Sequence, residues 1–185
     1  MLFRSTPSQV AQAIRDGTIV DLVQRFQVKA GDSLLVRAGL IHALGPGLMI
    51  YEVQQTSDLT YRVFDWNRPA SQARPLHIEQ SVEVVDPGLV GEVLPLSPLG
   101  DGEVRRLVSS AYFTLEILAG RQQTLLQDTR GESFHALTVI SGQARLAGDG
   151  WDLELGLYQS AVIPAACSAY QVAPQGNLRM LKASV

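Results

Sequence analysis

Cysteine is nearly absent from this 185-residue chain: Cys167 is the only one. No internal disulfide can staple the fold, and a cytoplasmic setting is expected. A surplus of one charge is missing too. Fifteen Lys and Arg stand against eighteen Asp and Glu, for a formal net charge of −3. No basic block points to nucleic acid or to a membrane surface, so neither is expected as a partner. Nor is there a long hydrophobic run. The most apolar region, 34–53, holds Arg37, His42, Glu52 and a Gly45-Pro46-Gly47 break, and so cannot span a bilayer. A secretory leader is not expected either, because Phe3-Arg4-Ser5 leads straight into a helix-start pattern.

What is present changes character along the chain. The stretch STPSQVAQAIRDG predicts a short helix: Thr6 caps it, Pro7 suits the first helical position, Gln9 completes a capping box and Gly17 suits the stop. A second short helix is expected over 19–25. From Phe26 onward, short runs of Val, Leu and Ile alternate with Gly, Pro, Asp and Asn. That pattern predicts strands at 26–29, 33–37, 48–54, 60–65, 112–119, 136–141, 143–147, 151–154, 160–163, 169–172 and 178–182. Gly148-Asp149-Gly150 predicts a hairpin turn. Many short strands separated by turns imply an all-β sandwich or barrel behind a short helical segment. Residues 87–101 are rich in proline and glycine and read as a linker between two halves. Segments 29–44 and 155–170 share a turn–strand–bend–strand pattern, which hints at an internal repeat.

His42 sits in the spacing G-x5-R-x-G-x2-H, from Gly31 through Arg37 and Gly39. Neutral imidazole is a common ligand for zinc and similar metals. The spacing resembles the second motif of the cupin superfamily, with Arg37 in place of a proline and Pro46 in place of an asparagine. The longer stretch LIHALGPGLMIYEVQQTSDLTYRVFDWNR, followed by LHIEQSVEVVD at 76–86, resembles type I mannose-6-phosphate isomerases of the bacterial short-chain branch. The resemblance is strong over 31–86 and weaker beyond 100. It implies two cupin (jelly-roll) units: a partial first unit at 1–86, the linker at 87–101, and a second unit at 102–185 without metal ligands. It also implies zinc-dependent interconversion of mannose 6-phosphate and fructose 6-phosphate, with His42 as a zinc ligand, Arg62 as the active-site arginine and Glu52 as an active-site acid. On an extended strand Glu52 shares a face with Leu48, Ile50 and Gln54, and Arg62 shares one with Thr60 and Phe64.

Plainer roles compete. His42 beside a Gly-Pro-Gly turn also suits a hydrogen-bonded structural residue, and Glu52 with Arg62 also suits an ion pair. Asp58 is expected to cap the 56–59 turn, Asp65 and Arg68 to form a surface pair, and Tyr61 and Trp66 to pack. His77 and His135 have no partner at ligand spacing, and His135 is expected to pack or lie at the surface. The family's other zinc ligands, a Gln-x-His pair and a glutamate after a lysine, lie upstream of the helical region, and this chain has no Gln-x-His. The chain is therefore expected to be a fragment, one half of a split enzyme, or a degenerate relative. An unpaired sheet edge is expected to favour a homodimer or a separate N-terminal partner chain. The alternative function is a catalytically inactive cupin module that binds a sugar or a protein.

Overall fold

The structure, a computed structural model, describes residues 5–57, 59–66, 68–69 and 71–185. Asp58, with its expected turn-capping role, lies outside the described residues. The chain divides into two units, one comprising Met1–Tyr51 and Thr56–Pro95, the other Glu52–Gln55 and Leu96–Val185.

The first unit opens on helix α1, Pro7–Asp16. The Thr6 side chain accepts from the Gln9 N–H, the Gln9 side chain accepts from the Thr6 N–H, and Gly17 closes the helix in the left-handed region at φ 69°. The expected capping box and glycine stop are thus both present. Val10, Ala13 and Ile14 fall at i, i+3 and i+4 and are buried. Complete burial of side chains such as Val10 and Ile14 contributes about 2 kcal/mol each. The helix expected over 19–25 shrinks to one 3-10 turn, Ile19–Asp21, because Thr18 supplies no side-chain cap and Ile19, Val20 and Val23 are β-branched. A second helix that the strand-like composition hid, α2, spans Ile78–Val84. Ile78, Val82 and Val85 pack, with Ile41, Val63 and Phe64, on the cluster of Val10, Ala13, Ile14 and Ile19.

Strand content in this unit is small. β1, Ser33–Leu34, pairs antiparallel with β2, Val93–Leu94, which lies inside the expected linker. The strands expected at 26–29, 48–54 and 60–65 do not form, and the described residues there join no ladder. A strand needs a neighbour to pair its backbone groups, and among the described residues no strand forms a ladder with these segments. Leu44, Leu48, Met49, Ile50 and Leu59 are accordingly exposed.

The second unit is a seven-stranded antiparallel sheet. Its strands are β3 (Glu103–Ser109), β4 (Thr114–Gly120), β5 (Leu125–Asp128), β6 (His135–Gly148), β7 (Trp151–Leu155), β8 (Ser160–Ile163) and β9 (Ala169–Ser184). Their order is β3-β4-β9-β6-β7, with β5 also on β9 and β8 also on β6. The strands expected at 136–141 and 143–147 are one strand, and so are those at 169–172 and 178–182. The glycine that suggested a break, Gly142, instead sits in a bulge at φ 70°, where a Cβ would meet the Asn177 carbonyl at 2.8 Å. Strands β3 and β5 are additions to the sequence reading. The β6–β7 hairpin turns at Asp149-Gly150 as expected. Leu118, Met180 and Val139 lie side by side across β4, β9 and β6, and form the core with Leu137, Leu146 and Val172. Among the described residues no helix is long and apolar enough to cross a membrane.

Candidate functional site

The His42 segment is shaped by its glycines. Gly39 has φ 86°, and a Cβ there would meet the Val84 carbonyl at 2.9 Å, so the chain can pass the end of α2 only with glycine. The Gly39 carbonyl accepts the Asp86 N–H at 3.0 Å, and the Leu40 N–H donates to the Arg37 carbonyl at 3.1 Å. Leu40 is buried and Ile41 packs on the helical cluster. His42 follows on the exposed side. Its Nδ1–H donates to the Leu40 carbonyl at 3.0 Å, which leaves the Nε2 lone pair as the free donor of electrons. A carbonyl-held imidazole of this kind is how metal-ligating histidines are oriented.

Arg62 is held at its backbone by a residue that the sequence reading set aside. Its N–H donates to His77 Nδ1 at 3.1 Å, and its carbonyl accepts the His77 N–H at 2.9 Å. The His77 proton therefore resides on Nε2. Arg62 Nη1 donates to the Pro75 carbonyl at 3.4 Å, and Val63 and Phe64 anchor the segment in the helical cluster. The available signal was a histidine at the N-terminal boundary of α2, in LHIEQSVEV. Tyr61 stacks loosely against His77, with ring centroids 5.9 Å apart, and Trp66 is exposed with its edge against Phe64.

Asp65 departs from the expected surface pair with Arg68. It is buried, and Arg74 is its main partner: Nε and Nη2 donate to Oδ1 at 2.9 and 2.5 Å, and the Arg74 N–H donates to Oδ2 at 2.8 Å. Arg68 stands off at 3.9 Å. The Arg74 side-chain bonds, then its backbone bond, hold the Asp65 carboxyl below the usual carboxylate range. This clamp closes the loop that follows Arg62.

His42 and Arg62 belong to the first unit, and the residue following His42's neighbour Ile41 and the residue preceding Val63 are thus tied to one small core. Glu52 falls with 53–55 in the second unit and is exposed. It is not on a strand, so the expected shared face with Leu48, Ile50 and Gln54 is absent. Among the described residues, neither the Glu52 carboxylate nor the Arg62 guanidinium is in an ion pair.

The second unit has a polar end to its interior. Lys182 Nζ lies 2.8 Å from Glu116 Oε2 and donates to Gln127 Oε1 at 2.7 Å. Beside them His135 Nδ1 and the Tyr170 hydroxyl share a hydrogen bond of 2.7 Å, both residues being buried. Burial first, then the Lys182 charge, push the His135 imidazole below the ordinary histidine range, with Glu116 and Asp128 opposing. Burial and then Glu116 push the Tyr170 phenol up. An ammonium occupies this end of the sheet, so Glu116 and Gln127 are already satisfied.

No family model matches the chain. It is 38% identical over 141 residues to the mannose-6-phosphate isomerase of Streptococcus mutans serotype c, covering 75% of this chain and 44% of that protein. It is 30% identical over 148 residues to a mannose-6-phosphate isomerase of Bacillus subtilis, covering 77% of this chain and 46% of that protein. This chain is a homologue of the mannose-6-phosphate isomerases. It spans about half the length of the curated relatives it matches. The crystal structure of the mannose-6-phosphate isomerase from Bacillus subtilis superposes with a TM-score of 0.82 over 97% of this chain and 57% of that one, at 24% identity. The fold is therefore the cupin fold of these isomerases.

For a homologue of these isomerases, the donor set decides what metal it can hold. Among the described residues no three His, Cys, Asp or Glu side chains converge as a metal site. His42 offers one ring nitrogen, Nε2, that its hydrogen bond to the Leu40 carbonyl leaves open. Zinc sites use three or four protein ligands, so the described residues do not make such a site by themselves.

Proposed function

We propose that this chain carries part of a mannose-6-phosphate isomerase, a cytoplasmic enzyme interconverting mannose 6-phosphate and fructose 6-phosphate. The similarity to two named isomerases over three quarters of the chain carries this reading. In it, residues 1–86 are a partial first cupin unit, 87–101 the linker and 102–185 a second unit without ligands. His42 is a zinc ligand, and the remaining ligands come from the part of such an enzyme that residues 1–185 do not cover. The orientation of His42 Nε2 and the two-point hold on the Arg62 backbone support these assignments.

The reaction moves a proton between C1 and C2 of the sugar through an enediolate. Arg62 supplies a fixed positive charge for the oxygen that becomes negative, an effect worth about 3 kcal/mol when such a donor is lost. Glu52 takes the proton from one carbon and returns it to the other, which requires hydrogen-bond reach to the sugar in the assembled enzyme. No step is drawn through zinc, since the described residues supply one ligand only.

The test mixes the purified chain with the N-terminal half of the Streptococcus mutans relative. Zinc content and turnover of fructose 6-phosphate in a coupled assay are then measured. The chain alone is expected to hold no stoichiometric zinc and to show no turnover. The mixture is expected to gain both, with zinc lost in His42→Ala and turnover lost in Arg62→Gln. A folded but inert mixture would overturn the isomerase reading and leave a non-catalytic sugar- or protein-binding module.

A further inference from the structure

The second unit carries a cleft of about 220 Å³ whose lining includes Arg121, Arg179, Ser141, Asn177, Gly100 and Gly120. The sheet register builds its floor. Arg179 on β9 stands directly between Ala119 on β4 and Ser141 on β6. Both neighbours are small, so the guanidinium has space on either side. The adjacent residues Leu178 and Met180 point into the core, which commits Arg179 to the opposite face. Arg121 follows the end of β4, and its turn is locked. The N–H groups of Arg121, Gln122 and Gln123 all donate to the Asp101 carboxylate, the shortest at 2.6 Å.

Charge in the cleft is unbalanced. Among the described residues neither the Arg121 nor the Arg179 guanidinium has an ion-pair or hydrogen-bond partner. Two carboxylates lie near. Asp101 accepts from its three backbone donors and its charge also acts on Arg121, while Glu103 is held by Arg105 and by the Gly100 N–H. Two guanidinium groups without a hydrogen-bond partner therefore line one small polar space together with Ser141 and Asn177, and only the Asp101 charge opposes them. A planar carboxylate has two oxygens to offer such a set, whereas a phosphate has three, arranged for two guanidinium forks at once.

We propose that this cleft binds a small phosphate-bearing anion, either inorganic phosphate or a phosphate monoester. It is a site of the second unit and does not depend on His42, Glu52 or Arg62. The strand position of Arg179 and the locked turn under Arg121 fix both backbones before the ligand arrives, so that only the two side chains remain to be ordered on binding.

Calorimetric titration of the full chain with inorganic phosphate and with mannose 6-phosphate tests it. Saturation below about 10 mM is expected, an affinity near 3 to 4 kcal/mol. Arg121→Gln and Arg179→Gln should each weaken it at least tenfold, and Arg25→Gln, an exposed arginine of the first unit, should leave it unchanged. Should Arg179→Gln fail to fold, Arg121→Gln carries the test alone, since Arg121 lies in an exposed turn. Equal affinity for the two probes makes free phosphate the ligand, and tighter binding of the ester makes it a phosphorylated metabolite. Absence of saturation, indifference to both cleft arginine substitutions, or an equal loss of binding in Arg25→Gln would each overturn the proposal.

Discussion

Replacing Lys182 by methionine removes the cation from the interior of the second unit while keeping an apolar stem of similar length. Lys182 Nζ is 2.8 Å from Glu116 Oε2, with side-chain exposures of 10% and 20%. At that distance the bare attraction is about 6 kcal/mol for an effective dielectric near 20. Desolvation of both ions offsets most of it, so the pair contributes little net stability compared with an apolar pair. Breaking it is another matter. Glu116 and the Gln127 carbonyl oxygen would both lose their donor, at a cost of about 3 kcal/mol, the lower end for such pairs because Glu116 keeps some contact with water. An exposed pair such as Arg145–Asp152, with exposures of 54% and 55%, should cost only about 0.5 kcal/mol when broken. Urea unfolding followed by far-ultraviolet circular dichroism measures the difference. The double variant Lys182→Met, Glu116→Leu should return to within about 1 kcal/mol of the parent, because no unpaired charge is left. Proton NMR titration gives an independent reading: the Lys182 charge depresses the His135 imidazole, so His135 should titrate higher in Lys182→Met. A loss below about 1 kcal/mol for Lys182→Met, or a double variant no more stable than the single one, would refute the buried-pair reasoning.

Four further outcomes are expected. His135 is depressed in the folded state, so its contribution is intact above the ordinary histidine range and is lost as pH falls toward the folded value; His135→Gln should flatten that part of the stability profile. Asp65 and Asp101 are also depressed, so their contribution persists to lower pH and disappears only below the ordinary carboxylate range, which separates the two acid phases in a pH series of urea melts. Thr6→Ala removes the capping box of α1 and should destabilise the first unit by about 1 kcal/mol, measured as a lower urea midpoint. His77→Ala frees the Arg62 backbone and, under the isomerase proposal, should lower kcat of the reconstituted mixture by about 100-fold, with KM little changed; His77→Asn, which keeps an acceptor for the Arg62 N–H, should recover much of it.

The residues that point to function were legible where their shape depends on near neighbours. Gly39 needs its positive φ because the bend before His42 passes the Val84 carbonyl, and the motif carries glycine there. The hold on the Arg62 backbone was not legible, because His77 contacts it across fifteen residues. Asp65 shows the limit more sharply. Arg68, three residues on, was the obvious partner by proximity, yet Arg74 wins because its fork reaches the same carboxylate while its backbone N–H takes the second oxygen.

Helix α1, the Asp149-Gly150 hairpin and strand β8 were readable in the chain itself, because capping, turn stereochemistry and alternation are settled within a few residues. Other features waited on the folded arrangement. A bulge at Gly142 joins two expected strands into one, since β9 continues alongside it. The runs at 48–54 and 60–65 have strand composition but no ladder, since pairing requires a second strand that local sequence cannot provide. His135, read as packing or surface, becomes a depressed imidazole beside a buried ammonium, since desolvation and charge proximity exist only once distant strands have come together.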